Sequence, residues 1–340
     1  MLILIASILA ATIPTLFLVW IIWWADRYER EPVRLLTSAF FWGAIPAIIL
    51  AVIVELMAGT PFESEGIKNE LIQSAIIAPI VEEAVKGMAL LGLIRFARAE
   101  IDGVLDGVIY GALVGAGFAM TENFFYFLTT ESVGDWATIV FLRAFLFGLN
   151  HIFYTAIQGA AVGYALRFNS KGTRKAIMLA GLILAMAAHA FHNFSVTITA
   201  NFPPVCLASI LMNWGGALVM LLIVLLSLQK ERQAIKNYLS SDAAPPISQR
   251  TQKWLMSAFP PKERLFPNWP WLPDQRRQEN QLYQAIAEIS LRRQRLDTAR
   301  DDQRPRLEKE IILLQKTITT LSTLTTTNVA AANPAQTRED

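Results

Sequence analysis

Cysteine is almost missing from this chain. Cys206 is the only one, which excludes a disulfide framework and any metal site built on several thiolates. Charge is scarce as well. Asp, Glu, Lys and Arg make up 17% of the 340 residues, against about 25% in a soluble domain, while apolar residues reach 54%. That deficit argues against a soluble globular enzyme. A net charge of +2 gives no basic surface for nucleic acid. Histidine occurs three times. No HExxH signature is present, and no serine or cysteine in the apolar spans stands at a suggestive interval from a histidine.

What is there is length of apolar run. Seven stretches, 2–24, 33–57, 71–94, 104–128, 137–166, 175–200 and 205–228, are each long enough for the roughly 20-residue helix that crosses a bilayer. The first lacks a basic leader and carries its positive charges after it, so it reads as an N-terminal anchor. Residues 1–229 hold 12 basic and 15 acidic side chains, and 230–340 hold 18 and 13. Of the 12, nine lie in the loops after spans one, three and five (Arg27, Arg30, Arg34, Arg95, Arg98, Arg167, Lys171, Arg174, Lys175), and Lys68 alone lies in the others. This alternation predicts an N-terminus outside a cell membrane and a C-terminus in the cytoplasm. The expected fold is all-α: a polytopic membrane bundle of about seven helices with a cytoplasmic helical tail.

Glycines predict helix contacts. Gly107, Gly111 and Gly115 recur every fourth residue, as do Gly159 and Gly163, and small residues at this spacing let backbones approach in lipid. Beyond the 1–229 membrane domain, 230–273 reads as a linker rich in proline and tryptophan (Trp254, Trp269, Trp271). Residues 274–325 show helical spacing: Leu282, Ile286, Ile289 and Leu296, then Leu307, Ile311, Leu314, Ile318 and Leu321 at 4-3-4-3 intervals. A coiled-coil segment that takes a protein partner and a solvated hairpin without one both fit. Residues 326–340 read as disordered. The tail holds no catalytic constellation and is expected to modulate or recruit.

Ionisable groups inside a bilayer are expensive and mark function by default. Glu82, Glu83 and Lys86 fall in the third span, Glu122 and Asn123 in the fourth, Arg143, Asn150 and His151 in the fifth, and His189, His192 and Asn193 in the sixth. All three histidines are in this set. Glu82 and Lys86, like His189 and Asn193, are four apart and share a helix face. Four such faces can enclose one wet cavity, in which paired carboxylates supply a base for water and histidines carry protons, bind an oxyanion or ligate a metal. The bland alternatives are a structural Glu82–Lys86 pair, a paired or snorkelling Arg143, and a helix-contact His192. Glu55 reads as interfacial, and Asp102 and Asp106 as helix-start residues.

These residues form a recognisable pattern. Ile80-Val81-Glu82-Glu83-Ala84-Val85-Lys86 resembles the EExxK motif of the PrsW-type intramembrane proteases, and Phe118 to Asn123 is similar to that family's FxxxEN motif. His151 and His189-Ala190-Phe191-His192-Asn193 are similar to its later histidine and asparagine positions, and Asp26 to Pro32 resembles its acidic, proline-containing first loop. The resemblance spans about residues 20–200. It implies cleavage of membrane-embedded protein substrates, in the founding case an anti-sigma factor. The wider group includes the CAAX-processing proteases, with EExxxR, FxxxH and HxxxN patterns. Lys86 stands one position before that arginine, and Glu122 stands at that second-motif histidine.

The site expected from both readings is Glu82, Glu83, Glu122, His151, His189 and Asn193, supported by Lys86, Asn123 and His192. A glutamate base acting without a cofactor is preferred, with Glu83 ahead of Glu82 because Lys86 is better spaced to neutralise Glu82. His189 and Asn193 would stabilise the oxyanion. The competing mechanism is a zinc site on Glu83, His151 and His189. The competing function is a proton- or ion-coupled transporter or channel using the same buried Glu/His set. Against it, neither an inverted repeat nor a matched pair of broken helices is visible.

Overall fold

The computed structural model describes residues 1–59, 66–101, 103–199, 201–242, 244–245, 247, 249–256, 273–299 and 304–332. Every regular element among them is helical, and the chain divides into two compact units.

The first unit comprises Met1–Asp26 and Glu31–Val224. Its helices are α1 (Leu2–Ala25), α2 (Val33–Trp42), α3 (Ile48–Gly59), α4 (Ile67–Ile72), α5 (Ala78–Phe96), α6 (Val104–Leu128), α7 (Val133–Val140), α8 (Asn150–Ala165), α9 (Lys171–Ile198) and the start of α10 (Pro204–Leu239). Six helical stretches are long and apolar enough to cross a membrane. The continuous helix from Ile67 to Phe96 is the seventh, and its charged residues are what set it apart. Local signals fix the starts. Ser132 caps α7 by accepting the Asp135 amide at 3.1 Å, Ser170 caps α9, and Asp106 accepts the Gly103 amide at 2.7 Å, as expected of a helix-start residue. Asp102 lies outside the described residues.

Helix α6 is the axis of this unit, buried without a break from Leu105 to Ala119. Its glycines explain why. A Cβ on Gly107, Gly111 or Gly115 would run into the carbonyl of Gly159, Thr155 or His151 on α8. A Cβ on Gly117 would strike the Phe40 carbonyl on α2. The expected glycine contact is therefore a backbone-to-backbone seam between α6 and α8, and it places His151 against the central helix.

The spans are less regular than their hydropathy implies. π-helical turns at Gly43–Ala47, Gln73–Ile77 and Phe141–Leu146 join α2 to α3 and α4 to α5, and follow α7. The fifth span then breaks at 147–149 before α8 begins, an interruption with no signal in the hydropathy of that span. Irregular turns leave carbonyls without their regular helical donor, and in lipid such a carbonyl must find another. Thr121 donates to the Ala44 carbonyl at 2.7 Å, Asn193 to Ser74 at 2.8 Å and Trp214 to Leu146 at 2.9 Å. Each irregular turn is tied to a different helix.

The second unit comprises Arg27–Arg30 and Leu225–Asp340. It contains the end of α10, α11 (Gln249–Met256), α12 (Asp274–Thr298) and α13 (Arg304–Ala332). Leu282, Ile286 and Ile289 of α12 and Ile311, Ile318 and Leu321 of α13 are buried, and Leu296, Leu307 and Leu314 are half-buried. Glu29 pairs with Arg292 and, at 2.5 Å, with Arg295; Arg292 also reaches Glu310 at 3.0 Å. Helix α11 occupies part of the stretch read as linker, and α13 runs to Ala332, past the expected end at 325. The expectations for Trp269 and Trp271 lie outside the described residues.

Candidate active site

Glu82 and Glu83 sit at mid-length of the helix Ile67–Phe96, with Lys86 one turn on. Lys86 is fully buried, and its ammonium donates to Glu82 Oε2 at 3.0 Å and Glu83 Oε1 at 2.8 Å, with His151 Nδ1 accepting at 2.9 Å. All three of its hydrogens are thereby used. Its other side faces the Phe118 ring, 3.8 Å from the centroid. The expectation that Lys86 is better placed to neutralise Glu82 is not what the geometry gives, since i+3 and i+4 partners are reached together.

The two carboxylates differ instead in how far they are committed. Glu83, wholly buried, accepts from Lys86, from His189 Nδ1 at 3.1 Å and from Gln158 Nε2 at 2.8 Å. Glu82, among the described residues, accepts from Lys86 alone, and its side chain keeps 9% exposure. Glu122 accepts from His151 Nε2 at 2.7 Å and pairs with Arg143 at 2.6 Å. Arg143 is therefore a paired residue rather than a snorkelling one, and its Nε donates to Asn123 Oδ1 at 2.9 Å.

His189 is held on three sides. Glu83 takes Nδ1, the Asn193 amide meets Nε2 at 3.3 Å, and the ring edge meets His151 with centroids 5.0 Å apart. The second N–H of Asn193 is spent on the Ser74 carbonyl of the π-helical turn. Glu82, Glu83, Lys86, His151 and His189 thus form one cluster, with Glu122 joined through His151 and Asn193 through His189. Asn123 lies further out, on Arg143, and His192 stands apart from the cluster, bonded to Ser209 Oγ at 2.7 Å.

Gln158, the third partner of Glu83, went unnoticed in the sequence. Its signal was its place seven residues after His151, on the same face of α8. Glu55, read as interfacial, has one carboxylate oxygen fully shielded and without a hydrogen-bond partner among the described residues.

By donor type, Glu82, Glu83, His151 and His189 resemble a zinc site, with ligand atoms all within 4.8 Å of one another. Three of those residues, however, point their donors at the Lys86 ammonium. An ion about 2 Å from each ligand atom would need the space and the lone pairs that Lys86 holds.

Residues 31–228 match the family described as "PrsW family intramembrane metalloprotease". The chain belongs to the PrsW family. Over 198 residues it is 27% identical to protease PrsW of Bacillus subtilis (strain 168), a stretch that covers 58% of this chain and 85% of that protein. It is 28% identical over 192 residues to protease PrsW of Clostridioides difficile (strain 630), covering 56% and 79%. With protease PrsW of Geobacillus kaustophilus (strain HTA426) it shares 26% over 225 residues, covering 65% and 88%. No solved structure matches it. PrsW membership makes the chain a membrane peptidase, and the matched region contains the whole Glu/His cluster and ends before α11.

Proposed function

We propose that this PrsW-family chain is an intramembrane endopeptidase that cleaves membrane-anchored protein substrates, signalling proteins among them, with water activated by Glu82. The observation that carries the choice is the unequal commitment of the paired carboxylates. Three donors saturate Glu83 and make it a fixed wall of the site, whereas Glu82 keeps an oxygen for water. A base must lie within hydrogen-bond reach of the proton it removes. Lys86 donates to Glu82 and aims it, and His151, between Lys86 and Glu122, is placed to relay the proton toward the leaving amine. The contact from Asn193 to His189 is long, at 3.3 Å, so that N–H is the one to turn to the oxyanion when substrate enters.

The metal that the family description implies does not fit the residues as arranged, because Lys86 occupies the centre of the donor set. No step is routed through it. Purified full-length protein acting on a transmembrane reporter tests the reading. Glu82→Gln should lower turnover by about 100- to 10,000-fold in protein that still elutes and melts as folded. Strong chelators should leave the wild-type rate unchanged. Chelator inactivation rescued by zinc would overturn the metal-free mechanism, and full turnover in both Glu82→Gln and Glu83→Gln would overturn the peptidase site.

A further inference from the structure

Helix α10 gives no charged group to the cluster, yet its apolar run is interrupted by two buried polar residues, Ser209 and Asn213, one turn apart and essentially without exposure. Burying a polar group is costly unless it is hydrogen-bonded, and these two are bonded toward the site. Tyr154 donates its hydroxyl to Asn213 Oδ1 at 2.9 Å. The Asn213 amide donates to Ser209 Oγ at 3.3 Å and to His192 Nδ1 at 3.2 Å, and Ser209 closes the ring on the same nitrogen at 2.7 Å. The acceptors on its nitrogen side fix the amide so that its oxygen faces Tyr154.

Tyr154 is fully buried on α8, three residues after His151. Its ring lies along that of His189, centroids 5.0 Å apart and planes inclined by 18°. His189 needs this support. Its two nitrogens bond Glu83 and Asn193 at 3.1 and 3.3 Å, and both bonds are lost if the imidazole plane turns. The Tyr154 hydroxyl is bonded to Asn213, which ties the place of this packed ring against His189 to α10.

We propose that Asn213 is a positioning residue for the hydrolytic centre, setting the plane of His189 through Tyr154. The proposal rests on the reading of His189 as part of that centre. It adds the seventh span to the four that supply the reacting groups.

Two measurements on the full-length protein in detergent test it. The chain has three histidines, so histidine labelled with nitrogen-15 gives three resolvable rings, assigned by single replacement. Asn213→Leu should move the ring signals of His189 as well as those of its direct partner His192. Movement of His192 alone would overturn the proposal. This arm needs no turnover, so it is decided even if the peptidase reading fails. In the second, Tyr154→Phe keeps the ring and removes the hydroxyl. It and Asn213→Leu should each lower kcat about 10-fold with KM unchanged. The double variant should be no slower than the slower single, because both remove one restraint. Multiplying losses, or a Tyr154→Phe enzyme at the wild-type kcat, would show that the contact only packs the bundle.

Discussion

At the scale of single residues, the central feature is one ammonium shared by two carboxylates and an imidazole. Lys86 is buried completely, and so is Glu83. Removing one partner of such a group leaves an uncompensated charge, at a cost of about 3–5 kcal/mol. Lys86→Met should therefore lower the thermal unfolding temperature markedly as well as abolish turnover. Lys86→Arg should not restore either property, because a planar guanidinium cannot direct three bonds from one nitrogen in the same space. A Lys86→Met protein as stable as wild type would mean that the carboxylates share a proton instead. The motif residues that build this centre were legible in the sequence, since charge within an apolar run stands out. The neutral amides and hydroxyls were not. Gln158, Asn213 and Ser209 look like ordinary membrane-helix residues until the fold shows what they face, and the roles of Glu82 and Glu83 could not be separated by spacing when Lys86 reaches both.

At the scale of helices, the α6–α8 seam sets where His151 sits. Gly111→Val would drive a side chain into the Thr155 carbonyl and push α8 outward. The expected outcome is destabilisation by about 1–3 kcal/mol together with loss of turnover. Gly92→Ala, where nothing lies within 4 Å of the added carbon, should leave both intact. Unfolding curves and reporter cleavage for the two variants check the contrast, and equal effects would refute the seam. This element was readable beforehand because the period of four is a property of the helix itself. The π-helical turns were not, because each depends on a donor from a distant helix: Thr121, Asn193 or Trp214. The heptad spacing in α12 and α13 was readable for the same reason as the glycine repeat, whereas the grip of Arg292 and Arg295 on Glu29 had no local signal.

At the scale of the whole molecule, the bilayer dictates most of the architecture, which is why the approximate bounds of the spans, though not the breaks within them, follow from hydropathy. PrsW membership makes the chain a peptidase, and the function proposed above takes the buried Glu/His set as its site rather than as an ion pathway. The proposed orientation, N-terminus outside and tail in the cytoplasm, follows from the basic loops. In a Cys206→Ser background, a cysteine at Ser132 should react with an impermeant reagent added outside intact cells, and one at Ser170 should not; the reverse would invert the topology. The ion pair of Glu122 with Arg143 also constrains biogenesis. Its two halves belong to consecutive spans joined by the short turn between α6 and α7. A span released into lipid with Glu122 unpaired would carry a bare charge costing several kcal/mol. Insertion of the two spans together, as a hairpin, neutralises the acid before it meets hydrocarbon, so the pair that lines the finished site also dictates that its two helices leave the insertion machinery as one.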